Sequence, residues 1–226
     1  MNKRTSFLSC VVIAITFSTF FQSVVASEII KKRIYDKNGK LTLISEFNEN
    51  QKDGKETHYR PDGSIEKILL FRDGKQNGLE THFYPNGKIK AKIPYSRGLK
   101  NGLMESWYPN GAFLGFAHFK DDHHDRISQA WHPNGKLRAV ARFKNMVQNG
   151  IETQFYQNGE KKIEGNFVNG VLHGNEKRWH DNGQLMADLE YQHGKLKSVL
   201  GFWNRQGKLV ENVDPDEFLR QHKFTH

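Results

Sequence analysis

The stretch Leu79-Glu80-Thr81-His82-Phe83-Tyr84-Pro85-Asn86-Gly87-Lys88-Ile89-Lys90-Ala91-Lys92-Ile93-Pro94-Tyr95 decides the fold. Before the Asn-Gly pair, Leu79, Thr81 and Phe83 share one side of an extended chain. After it, Ile89, Ala91, Ile93 and Tyr95 share one side, with Lys88, Lys90 and Lys92 opposite. The period is two, so both arms read as strands and not as helices. Asn-Gly between alternating arms is a hairpin signal, and it predicts positive φ at both central residues of a tight turn.

The same unit recurs along the chain. Turn dipeptides stand at Asn38-Gly39, Asp62-Gly63, Asn86-Gly87, Asn110-Gly111, Asn134-Gly135, Asn158-Gly159, Asn182-Gly183 and Gln206-Gly207, always 24 residues apart. Three positions before each turn lies an aromatic: Tyr35, Tyr59, Phe83, Trp107, Trp131, Phe155, Trp179 and Trp203. A second aromatic column keeps the period: Phe47, Phe71, Tyr95, Phe119, Phe143, Phe167 and Tyr191. A looser second turn closes each unit, as in Arg72-Asp73-Gly74-Lys75-Gln76-Asn77-Gly78. The expected fold is all-β: an elongated, twisted antiparallel meander of about eight 24-residue hairpins over residues 27–213. Up to about 16 strands at ~4.8 Å spacing give a ribbon roughly 75 Å long. One hairpin is marginal in water, so neighbouring units are expected to bury their aromatics against one another. Asp214-Pro215-Asp216-Glu217 reads as a helix start, and a short capping helix is expected near 215–223, within a C-terminal cap of residues 214–226. Phe218, Leu219 and Phe224 are its candidates for covering the last strand.

Residues 1–26 differ from the rest. Lys3 and Arg4 precede an apolar run from Phe7 through Phe21, and small residues follow at Val24 and Ala26. This order predicts a secretory signal cleaved near Ala26, and a periplasmic or secreted product. Removing Lys3 and Arg4 takes the formal charge from +9 to +7, and removes Cys10, the only cysteine. The remaining basic residues are spread along the chain, which fits a solvated surface and not a nucleic-acid site.

These features resemble the MORN repeat class, in particular the bacterial variant often labelled a YwqK-family antitoxin. The match lies in the aromatic-x-x-Asn-Gly core, as in Trp179 through Gly183, the later aromatic, and the Gly-x-x-x-Gly turn, as in Gly170 through Gly174. The resemblance implies a single elongated sheet and a role in binding. The bacterial label suggests a protein that neutralises a toxin by contact. In eukaryotic relatives such repeats accompany membrane-associated proteins.

Two turns depart from the pattern. Asp122 and Arg126 stand where other copies carry glycine, and Lys144-Asn145-Met146-Val147-Gln148-Asn149-Gly150 lacks its first glycine. They are expected to break a uniform edge. Asp121, Asp122, His123, His124 and Asp125 look like metal ligands, but neighbours on an extended chain point apart. A contact loop for a protein partner is the preferred reading, with Asp121, Asp122, His123, His124, Arg126, Trp131 and His132 as the contact residues. His132 and His180 share a column with Tyr84, Tyr108 and Tyr156, which is either a half-polar binding stripe or edge packing. Glu56, Glu80, Glu152 and Glu176 recur at the repeat period, which argues for a structural role such as cross-strand pairing. No catalytic motif, cofactor or metal site is expected. A protein partner, such as a toxin, is the first expectation. An anionic lipid surface, motivated by the +7 charge, is the alternative.

Overall fold

The computed structural model describes residues 28–221. The expected signal segment, with Cys10 and Ala26, lies outside them. Eighteen strands form one antiparallel sheet; each interior full-length strand pairs with the full-length strands before and after it, and three two-residue strands pair only with the strand that precedes them. The sheet is open: the first strand, Ile29–Tyr35, and the last, Lys195–Phe202, do not pair. Three two-residue strands, Lys75–Gln76, Leu99–Lys100 and Val147–Gln148, resume after one asparagine as Gly78–Phe83, Gly102–Trp107 and Gly150–Phe155. The meander therefore has fifteen rungs. The expected sixteenth is reduced to one bridge, Trp203 with Leu209.

The two turn types are the reverse of the expectation. At the Asn-Gly turns only the glycine has positive φ, for example Gly87 at 79°. Gly87 N–H donates to Tyr84 O at 2.9 Å and Tyr84 N–H to Lys88 O at 2.8 Å. This is a three-residue loop whose glycine takes the left-handed position after a common turn. The asparagine serves by its side chain: Asn86 Oδ1 accepts from Lys88 N–H at 3.1 Å. The two-residue turns with positive φ at both positions are the supposedly looser ones, such as Asp73 at 51° and Gly74 at 73°.

Both edges of the ribbon are sewn from unit to unit. Along one edge the second residue of each two-residue turn donates its N–H to the preceding unit: Gly98 to Gln76 O and Met146 to His124 O, both at 2.8 Å. Along the other, Tyr84, Tyr108 and Tyr156 donate their hydroxyls to Trp107 O, Trp131 O and Trp179 O at 2.8–2.9 Å. His132 Nε2 donates to Phe155 O at 2.9 Å and His180 Nε2 to Trp203 O at 2.8 Å. That column stitches the edge from one unit to the next.

Burial differs from expectation too. Of the two aromatic columns only Phe167 is buried, and Tyr35 is exposed. The deepest positions lie between the columns and include Leu189, Ala187 and Glu176, all at 0% exposure. A single sheet has no second layer to cover its rings. The rings instead flank a midline row and screen it from water.

The capping helix runs Pro215–Gln221. Asp214 Oδ1 accepts from Asp216 N–H at 2.9 Å, and the Phe218 ring lies 4.2 Å from that of Phe202. Residues 222 and 223 of the expected helix, the Leu219 side chain and Phe224 fall outside the described residues.

Candidate functional site

One face of the sheet carries a continuous row of directly paired residues: Leu43, His58, Lys67, His82, Ala91, Ser106, Gly115, Ala130, Ala139, Gln154, Ile163, Arg178, Ala187 and Phe202. Two residues along, on the same face, lie Glu56, Glu80, Met104, Ser128, Glu152 and Glu176, again one repeat apart. The two rows meet as a polar pair within each strand. His58 Nε2 bonds Glu56 Oε1 at 2.9 Å, His82 bonds Glu80, Gln154 Nε2 donates to Glu152 Oε1 at 2.7 Å, and Arg178 Nε donates to Glu176 Oε1 at 2.6 Å. The glutamates are structural, as expected, but their partners lie along the strand as well as across it. Across the bulge, Gln76 Nε2 donates to Glu80 Oε2 at 2.6 Å and Lys52 pairs with Glu56. Burial pushes the carboxyls of Glu56 and Glu80 up. The hydrogen bonds from Lys52, Ser45 and His58, and from Gln76 and His82, outweigh it and hold both below the ordinary glutamate value.

The ladder fails in two adjacent units at the centre. Met104 and Ser106 replace one polar pair, and Ser128 and Ala130 replace the next. Their neighbours across the strands are small as well. Met104 faces Ala117, which faces Ser128, which faces Ala141. In other units that position holds Leu69, Ile93 or Leu189, or else a small residue, Ser45 or Gly165, that faces a glutamate of the ladder. Shrinking both rows opens a groove of about 330 Å³, floored by Gly115, Ala117, Ala130, Ala139 and Ala141. That volume is at the lower end of the range of small-ligand sites, ~300–1,000 Å³. His124 and Phe143 form one end and Arg138 stands at the other.

His124 takes the position that Lys52, Gln76 and Gln148 occupy in other units. Its Nε2 bonds Ser128 Oγ at 2.6 Å, and its ring stacks between Phe143 at 3.9 Å and Phe119 at 5.4 Å. Burial between the rings lowers its pKa, against the pull of Asp125, and His118 adds to the lowering.

The irregular turns do not break the edge. Non-glycine residues take positive φ where other units carry glycine: Asp122 at 65°, Arg126 at 67° and Met146 at 67°. Such positions cost ~1–3 kcal/mol each and cluster where function needs them. Asp122 recovers part through Oδ1, which accepts from Lys100 N–H at 2.7 Å. Asp121 Oδ1 accepts from Asn101 Nδ2 at 3.0 Å, and its carbonyl is bonded to His123 Nδ1 at 2.7 Å. Arg126 is exposed and opposite Phe143.

The seven sequence-derived contact residues therefore fall into two groups. Asp121, Asp122, His123, His124 and Arg126 gather at one edge. Trp131 and His132 lie at the other, about 26 Å along the strand. Trp131 packs there with Phe113 and Phe116 at 5.2 and 5.8 Å. The groove between the two groups was missed, although Met104, Ser128, Ala130 and Ala141 mark it in the repeat alignment. Among the described residues, no three His, Cys, Asp or Glu side chains converge as a metal site demands.

This geometry defines the class of protein: an open, single-layer β-repeat in which each unit pairs only with its neighbours. Residues 76–97, 127–145, 148–169 and 172–193 match the MORN repeat variant, so the chain carries repeats of that kind over those segments. No curated protein matches it. Among solved structures, a chain in "Crystal Structure of TcdB2-TccC3-Cdc42" aligns over 75% of this chain at 10% identity and a TM-score of 0.21. The match spans 13% of that chain's length.

Proposed function

We propose that this is an exported, non-catalytic binding protein that holds a partner protein at its two central repeats, in the manner of an antitoxin or immunity protein. The observation that supports this reading is the interruption of the polar ladder. Four of the six glutamate positions keep their carboxylate and its partner, and the two that lack them are adjacent. The same units hold Asp122, Arg126 and Met146 at positive φ where other units carry glycine. Local rules broken together, at a cost in stability, mark a place kept for contact. The groove takes an apolar side chain of the partner. Arg126 and His123, exposed at the near edge, supply polar contacts beside it, and Arg residues often dominate such interfaces.

The test restores the repeat pattern. A117I and A141L give the central units the side chains their counterparts carry at residues 93 and 69. The partner is captured with the wild-type protein from the producing organism, beginning with products of neighbouring genes, and its affinity for the variants is measured. A fall of tenfold or more with unchanged circular dichroism supports the reading. Unchanged affinity in A117I/A141L removes the groove from the interface. A partner that is absent, with sedimentation on anionic vesicles that disappears at high salt, favours the lipid alternative instead.

A further inference from the structure

The two ends of the ribbon are built differently. At the C-terminal end the helix Pro215–Gln221 covers Phe202, and Val210 N–H donates to Phe202 O at 2.8 Å. At the N-terminal end the strand Ile29–Tyr35 pairs with Leu41–Asn48 alone among the described strands. All seven of its residues are exposed. Ile29, Ile30, Ile34 and Tyr35 stand 48–56% open to solvent. Lys31, Lys32 and Arg33 lie between them. An unpaired edge is a row of free N–H and C=O groups ready to template another strand. Lysines alone are a common way to block such an edge. Four large apolar side chains bracketing them act the other way, because each gains from being covered.

The charge pattern selects the occupant. Antiparallel pairing of two copies centred on Lys32 sets Lys32 against itself and Lys31 against Arg33. Pairing with the far end of a second copy, Lys195–Phe202, brings Lys195 and Lys197 to the same edge. Like charges directly opposite one another destabilise a strand pair. Both self-associations are therefore disfavoured, and an acidic strand is favoured. The added strand also has a place for a side chain. A hollow of about 500 Å³ lies beside this edge, lined by Lys32, Ile34, Leu43, Phe47 and Lys52 among others. Lys31 is engaged with Glu46 at 3.1 Å and the Lys32 ammonium sits 4.3 Å from the Phe47 ring centroid.

We propose that the N-terminal edge accepts an extended segment of a partner protein by sheet extension, the segment carrying acidic residues at its centre and apolar residues at its ends. The main-chain ladder supplies affinity, and the charges and the hollow supply selectivity. The proposal does not rest on the central groove.

The probes are two labelled synthetic heptapeptides, Val-Val-Glu-Asp-Glu-Val-Tyr and the same peptide with Lys at its three acidic positions. Fluorescence anisotropy is read with the purified protein, its N-terminus fixed by mass spectrometry. The acidic peptide is expected to bind at least tenfold more tightly than the basic one, with affinity falling as salt rises. K32E/R33E is expected to reverse the preference, and I30T/I34T to weaken both. Since these side chains are exposed, circular dichroism should be unchanged in each variant. S128E, in the central groove, should leave peptide affinity as it is. Equal binding of the two peptides overturns the proposal, as does no binding of either. Sedimentation showing a wild-type dimer that K32E/R33E abolishes also overturns it, because the edge is then occupied by a second copy.

Discussion

Arg178 donates from Nε to Oε1 of Glu176, two residues earlier on the same strand, at 2.6 Å, and the carboxylate it meets is fully buried. The pair is the most enclosed form of the polar ladder and shows what the ladder does. A glutamate in a half-covered row is tolerable only when its charge is met within the same unit, because an unpaired buried ion is expensive. Each unit therefore carries its own partner, and units can be stacked without depending on distant residues. Removing one member should be worse than removing both. E176A or R178A is expected to cost about 3–5 kcal/mol, and E176L/R178L distinctly less. Chemical denaturation of the three variants checks this, and a double variant as unstable as the worse single variant contradicts it.

The strained turns make the opposite prediction. Met146 occupies the place of Gly74, Gly98, Gly170 and Gly194, at φ 67°. Arg126 occupies that of Gly54, Gly78, Gly102, Gly150 and Gly174, at the same angle. Replacing either by glycine removes the left-handed penalty of a side-chain-bearing residue, about 1–2 kcal/mol, less the entropy glycine loses on folding. M146G and R126G are thus expected to raise Tm by a few degrees. If these residues are held for contact, R126G should at the same time weaken the partner. Asp122 is a different case, since D122G also forfeits the bond from Lys100 N–H, and its net change is expected to be near zero.

Edge stitching gives a third measurement. Tyr108 OH donates to Trp131 O at 2.9 Å across one full repeat. Y108F keeps the ring and deletes the bond, and is expected to cost about 1 kcal/mol. H132F removes the corresponding bond to Phe155 O and should cost a similar amount. Thermal melts read both. A loss confined to partner binding, with no change in Tm, would return His132 to the list of contact residues.

Much of this architecture was legible from residues alone, and the failures have physical causes. The 24-residue spacing of Asn38-Gly39 through Gln206-Gly207 placed every three-residue turn, because glycine is the residue that takes the left-handed position cheaply. The dihedral assignment went to the wrong turn because Asn-Gly suits two loop types. The choice between them depends on how many residues separate the last paired positions, here Phe83 and Ile89. The rings of Phe71 or Phe119 look like core in a sequence, yet with one layer of sheet they become walls around Glu56, Glu80 and Leu189. The run from Asp121 through Arg126 is conspicuous in the sequence because it is charged. The groove beside it is made by small residues such as Ala117 and Ala141, and an absence of bulk carries little signal until the register brings Gly115, Ala117, Ala130, Ala139 and Ala141 together.

Acid should unfold the N-terminal half of the ladder by a defined route. The carboxyls of Glu56 and Glu80 are raised by burial, but their hydrogen bonds to Lys52, Ser45 and His58, and to Gln76 and His82, leave both below the ordinary glutamate value. The unfolded chain therefore takes up protons at higher pH than the folded one does. Their contribution is complete above the unfolded value of about 4.3 and drains away as pH falls through the lower folded values. Between pH 6 and pH 3 the wild-type protein is expected to lose stability steeply. E56Q/E80Q should start lower at pH 6 and show a shallower loss over the same interval, because glutamine has no proton to gain. Denaturant melts at half-unit steps of pH give the two slopes, and parallel slopes would place the acid sensitivity elsewhere in the sheet.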